Sequence, residues 1–208
     1  MKIKLTFFLV CLTFFLFGQE KFNIEMSTGL QSIRYSGTRN LNVIDQGKFE
    51  LGFLHGFGIS AFLNDKFYLK TEFGTLELNK ILEVEIVGSG QSISEFDRFK
   101  MNENFFAISA GVKQPRYGFF GEIGIGTMNI VNQEFGDLGR ILLPNSNIAV
   151  ISVGWKRAFF GVDDNLGVMV NAKYIRTLGS ILSVGSSRLE QNILSWNVGL
   201  HYVFRGSE

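Results

Sequence analysis

Eight stretches of the chain alternate apolar residues with small or polar ones at a period of two, the spacing at which strand side chains leave opposite faces. KFNIEMSTGL puts Phe22, Ile24, Met26, Thr28 and Leu30 on one row. KFELGFLHGFGISAF aligns Phe49, Leu51, Phe53, Phe57, Ile59 and Ala61, and KFYLKTEFGTLEL aligns Phe67, Leu69, Thr71 and Phe73. NFFAISAGVK carries Phe106, Ile108, Ala110 and Val112, with its register open around Asn102–Ala107, and YGFFGEIGIGTMNI carries Phe119, Ile123, Ile125 and Thr127. Then come IAVISVGWKR (Ala149, Ile151, Val153, Trp155), LGVMVNAKYIR (Val168, Val170, Ala172, Tyr174) and WNVGLHYVF (Trp196, Val198, Leu200, Tyr202, Phe204).

The connections alternate in length. LND, QPR and FGVDDN are short turns, whereas Arg34–Gly47, Asn79–Lys100, Val131–Asn147 and Thr177–Gln191 are long. Short turns on one side and long loops on the other suit a membrane-spanning barrel. LEVEIV alternates too, so some strands continue beyond the barrel, and VGSGQ at 87–91 reads as a hairpin tip.

A soluble barrel shows the same alternation with its apolar row inside. Here the second row holds small residues (Gly52, Gly56, Gly58, Gly124, Gly126, Gly154, Gly199) and the in-strand charges Glu25, Glu50, Lys70, Glu72, Glu122, Lys156 and Lys173. An eight-stranded barrel is only wide enough for its own side chains, so small residues belong inside. A Lys or Arg facing the bilayer midplane costs about 2–4 kcal/mol, whereas an interior one can be paired. The apolar row is therefore assigned to lipid, with Trp155, Trp196, Tyr202 and Phe204 as aromatic girdles at its ends. The reading is all-β: an eight-stranded antiparallel up-and-down transmembrane β-barrel with short periplasmic turns and four long extracellular loops.

The first residues fit export. Lys2 and Lys4 precede an uncharged run from Leu5 to Phe17 that ends at Gly18, the pattern of a signal peptide and too short for a membrane helix. Residues 1–18 are read as the signal and 19–208 as one barrel domain. Cleavage there removes Cys11, the single cysteine, and leaves 18 of the 20 basic residues against 19 acidic ones. That balance offers no basic stripe for nucleic acid. The 24 glycines, 22 phenylalanines and two prolines fit many strands and few irregular linkers.

Signal, eight rows, alternating connections and a last strand ending LHYVF together resemble the small outer-membrane β-barrels of Gram-negative bacteria. The phenylalanine content and the FGQE junction resemble the Bacteroidota type, the PorT-like and OmpX-like group. The resemblance implies a cell outer-membrane location, lipid as surroundings, and recognition of the closing aromatics Tyr202 and Phe204 by the barrel-assembly machinery. Here Arg205-Gly206-Ser207-Glu208 follow Phe204, a departure from a terminal aromatic.

Candidate chemistry is sparse. His201 reads as a lumen residue hydrogen-bonded to a neighbour. His55 falls on the lipid row, so a bulge in FLHGFG or a shifted register is expected to turn it inward. Neither His is followed two positions on by Ser, as in a family of lipid-deacylating barrels of similar size. Asp163-Asp164-Asn165 reads as a turn former and not a metal site, and Gly124-x-Gly126 lacks the helix of a phosphate loop. No cofactor is expected. The interior charges, with His201, are expected to form a paired polar network that plugs the lumen, with Lys173 and Glu50 higher up. The function expected is non-enzymatic, with extracellular loops contacting a protein partner or surface. The alternatives are an outer-membrane lipid-modifying or proteolytic enzyme, or a narrow solute pore.

Overall fold

Long alternating segments with almost no proline satisfy their backbone groups by pairing strand to strand, and here the pairing closes on itself. The computed structural model describes residues 21–38, 41–44, 52–88, 91–114, 118–134, 145–159, 165–179, 182–184 and 187–205. Its strands are β1 (Lys21–Thr38), β2 (Leu41–Ile44), β3 (Gly52–Phe62), β4 (Phe67–Gly88), β5 (Gln91–Lys113), β6 (Phe119–Glu134), β7 (Ser146–Ala158), β8 (Leu166–Thr177), β9 (Leu182–Val184) and β10 (Ser187–Arg205). Eight of them, all but β2 and β9, pair antiparallel in chain order, and β10 pairs back onto β1. The fold is a closed eight-stranded up-and-down barrel, as the alternation predicts.

Paired residues trace a path round the wall: Phe22, Ala61, Leu69, Ala110, Ile123, Ile151, Tyr174 and Leu194. The path rejoins β1 at Ser32, ten residues beyond its start at Phe22. That offset is the shear of the barrel, and it tilts the strands relative to the axis. Along each strand the predicted apolar row faces outward. Met26, Ile123, Ile125, Trp196 and Val198 each expose more than half of their surface. The other row is buried within.

The two ends differ. At the short end Leu63–Lys66 form the first turn, where Asn64 Oδ1 accepts the N–H groups of Lys66 (2.9 Å) and Phe67 (2.8 Å). Gly118 enters β6 with φ of 76°, and a Cβ there would meet the Lys156 carbonyl. Gly118→Ala is expected to lower the urea midpoint of unfolding. Left-handed backbone alone costs an L-residue about 1–2 kcal/mol. Gly121→Ala is the control, since nothing lies within 4 Å of its added methyl, and its midpoint should hold.

At the other end the expected loops are partly strand. β4 and β5 stay paired to Gly88 and Gln91, whereas β6 leaves β5 at Lys100. The β4–β5 hairpin thus rises clear of the wall, its last described pair being Gly88 and Gln91. The Arg34–Gly47 connection contains the end of β1 and all of β2, which adds to β4 at Glu83–Ile86. The Thr177–Gln191 connection contains β9 and the start of β10. Short apolar segments such as Leu41–Ile44 find partners on the strand edges this hairpin leaves open. The open register near Asn102 has a cause: pairing with β6 shifts between Asn102 and Glu103. The expected signal at 1–18 and the residues Phe49, Leu51, Asp163 and Asp164 lie outside the described residues.

Candidate functional site

Alternation sends every second residue of β1, β4, β6, β7 and β8 into the barrel, and among the described residues six of these are buried charges. Lys70 is the hub. Its Nζ lies 2.9 Å from Glu25 Oε2, 3.3 Å from Glu122 Oε2 and 3.6 Å from Glu72 Oε2. Lys156 bonds Glu25 and stands 3.9 Å from Glu122 Oε1, while Lys173 bonds Glu72. Three carboxylates thus meet three ammonium groups, and the charges cancel. Neutral donors fill in: Tyr68 Oη donates to Glu122 Oε1 at 2.8 Å and Asn23 Nδ2 to Glu25 Oε1 at 2.6 Å. Two rings back the cations, with Lys156 Nζ 4.2 Å from the Phe120 centroid and Lys173 Nζ 5.6 Å from that of Phe105.

Lys173, expected higher up, belongs to this network through Glu72. Glu50 lies outside the described residues. His201 is buried beside the Arg157 carbonyl, but neither ring nitrogen makes an aligned hydrogen bond.

Beyond the charges, toward the hairpin end, the lumen is apolar. Ten buried residues form one cluster there, among them Leu54, Leu76, Phe105, Ile148, Ile175 and Ile193. This apolar layer adds to the polar lumen groups that the sequence predicts. In so narrow a barrel, packed hydrocarbon fills the bore as well as ion pairs do and carries no desolvation penalty. One turn of alternation beyond Phe105, Glu103 is also buried and accepts a hydrogen bond from Gln191 Nε2 at 3.0 Å.

No family model matches the sequence, and no curated protein does. Solved structures do. The chain is similar to the outer membrane protein AlkL, determined by solid-state NMR in DMPC lipid bilayers: 13% identity over 92% of this chain and 94% of that one, TM-score 0.51. The fold is that of the small outer-membrane β-barrels. Two further barrels align with TM-scores of 0.46 each. Ail, the attachment invasion locus protein of Yersinia pestis, in complex with the heparin analogue sucrose octasulfate, is 12% identical over 90% of this chain and all of that one. Neisserial surface protein A is 10% identical over 87% and 96%.

On the outer-membrane-type barrel wall, the aromatics divide. Phe204 stacks on Phe22 (4.2 Å) and meets Tyr202 edge-on (4.7 Å), with Trp155 half-buried near the same end. Trp196 stands on the outward row paired with Leu30 and Ala172, and one pair further along Tyr174 Oη donates to Asn192 Oδ1 at 2.7 Å. His55 is a correction. The register of β3 is unbroken against both β1 and β4, so no bulge turns the ring inward. It is exposed on the lipid-facing row, with Nδ1 3.0 Å from Thr28 Oγ1 and its ring parallel to Phe53.

Sequence reasoning missed Tyr68, Phe105, Phe120 and Gln191 as lumen groups. A signal for the apolar layer existed, because both rows turn apolar at Phe105-Phe106, Ile148–Ile151 and Ile193-Leu194.

Proposed function

We propose that this chain is an integral protein of the cell outer membrane of a Bacteroidota-type Gram-negative bacterium, exported by a cleaved signal. It is non-enzymatic, and it acts by presenting the β4–β5 hairpin to a protein partner outside the cell. One observation carries the reading: β4 and β5 run 22 and 23 residues, whereas β3, β7 and β8 run 11 to 13. Strand length of that kind exceeds what crossing a bilayer needs, about 9–11 residues. The surplus forms a stiff sheet, widened by β2, whose open edges suit strand addition by a partner. Ion pairs and hydrocarbon fill the bore, which supports a closed lumen over a pore. Outer-membrane lipid surrounds the wall, and Tyr202 and Phe204 serve the barrel-assembly machinery during insertion.

The test is cross-linking on intact cells followed by purification, comparing the native chain with one in which residues 80–99 are replaced by a short Gly-Ser turn. The shortened barrel should insert, run faster unheated than boiled, and lose its captured partner. Retention of the same partner would refute the hairpin reading. Cysteines placed at Asn40, Ser89, Asp137 or Ser186 should label from outside, and those at Asn64, Gln114 or Asp164 should not. The reverse pattern would invert the orientation.

A further inference from the structure

Toward the hairpin end, basic residues gather on one side of the outward wall. Pairing places Arg34, Asn192 and Arg176 side by side on β1, β10 and β8. All three alternate outward, with both arginines exposed and Asn192 half-buried. Neighbouring strands lie about 4.8 Å apart, so the arginine backbones stand about 10 Å from each other with Asn192 between them. Outward positions near the same end of β5, β6 and β7 are the uncharged Asn102, Asn129 and Asn147.

Most donors of this row are uncommitted. Arg34 has no ion-pair partner among the described residues. Arg176 gives Glu190 one nitrogen, Nη2, at 3.2 Å. An exposed pair of that kind contributes little, and a guanidinium has five donors to offer. Tyr174 Oη donates to Asn192 Oδ1, which leaves Asn192 Nδ2 as a donor at the centre of the row. Two guanidinium groups against one carboxylate leave a net positive charge.

Height decides what meets it. From Phe204, in the aromatic cluster at the short end, up to Asn192, β10 covers about 40 Å of strand. At a tilt of about 40° that is roughly 30 Å along the barrel axis, against an apolar band about 25 Å tall on such barrels. The outward residues between them, Tyr202, Leu200, Val198, Trp196 and Leu194, are all uncharged. The arginine row therefore stands just past the hydrocarbon, at the level of lipid headgroups.

We propose that Arg34, Asn192 and Arg176 hold one phosphate of a lipid headgroup in the leaflet at the hairpin end. Guanidinium forks match phosphate oxygens two at a time, and the Asn192 amide meets the same group from between them. Two features select a lipid as the carrier. The row faces out from the wall, into space that the bilayer fills, and a free anion would have to displace lipid to reach it. Leu194 and Trp196, below Asn192 on the same strand, are exposed and give the carrier's chains an apolar surface. That leaflet is the outer one in the orientation proposed above, and only the leaflet rests on that reading.

Native mass spectrometry of the full barrel in detergent tests this, with lipid A carrying its phosphates as probe and the same lipid A stripped of them as comparison. The phosphorylated form should be retained about tenfold more strongly, the scale of one charge-assisted hydrogen bond. Arg34→Gln and Arg176→Gln should each reduce the preference, and the double variant should abolish it. Glu190→Gln should raise it, because Arg176 then serves the phosphate alone, whereas a merely structural ion pair gives no gain. Lys66→Gln, at the short end, should change nothing. Heat-dependent gel mobility reports whether each variant is folded. Equal retention of the two forms, a preference that survives the double variant, or a Glu190→Gln variant that binds no better would each overturn the proposal. Displacement of the lipid by inorganic phosphate would also overturn it, as the site would then serve a free anion. The isolated barrel gives the same answer whichever way the hairpin faces, and the cysteine labels test that facing separately.

Discussion

Replacing Lys70 by methionine is expected to cost the barrel about 3–5 kcal/mol, the usual price of leaving buried charges without their partner. Glu25, Glu72 and Glu122 all lie within 3.6 Å of its ammonium group. Without it, Glu25 keeps Lys156 and Glu72 keeps Lys173, but Glu122 retains only Lys156 at 3.9 Å and the Tyr68 hydroxyl. The double variant Lys70→Met, Glu122→Gln restores neutrality and should recover part of the loss. Urea unfolding in detergent micelles, followed by heat-dependent mobility, measures both. A single variant as stable as the parent would show that the ion pairs contribute nothing net.

Phe105→Ala is expected to be similarly damaging, about 3–5 kcal/mol. Its ring is fully buried in the apolar layer, lies over Gly74 where no side chain fits beside it, and backs the Lys173 ammonium. The cavity opens on the hairpin side only, because the ion-pair layer lies beneath. Planar-bilayer recordings should therefore show no steady conductance for either the parent or Phe105→Ala. Stable channels in the parent would overturn the closed lumen, and channels in the variant alone would assign the seal to the apolar layer.

The outward rows are legible in the sequence because lipid tolerates little else. A charge at Ile123 or Val198 would be expensive, so the period stays clean there. The lumen obeys a weaker rule, since its side chains must only fill space and satisfy one another. Ion pairs do that at Lys70, hydrocarbon does it at Ile175, and alternation cannot tell which is needed where. His55 is illegible for the opposite reason: it breaks the lipid rule, and a reading from pattern alone moves it inward. The extra strands β2 and β9 depend on edges that exist only once the barrel and its hairpin are built.

The ion-pair network also constrains the order of assembly. Glu25 sits on β1, which closes the barrel by pairing with β10, and its cations come from β4 and β7 across the bore. Until that seam zips, a partly inserted sheet holds Lys156 on β7 apart from Glu25 on β1, with no water in the bilayer core to solvate them. Insertion and closure are thus coupled into one late, highly non-local step, the kind of contact that makes folding slow. The barrel's rate of maturation, as well as its finished stability, should register changes at these positions.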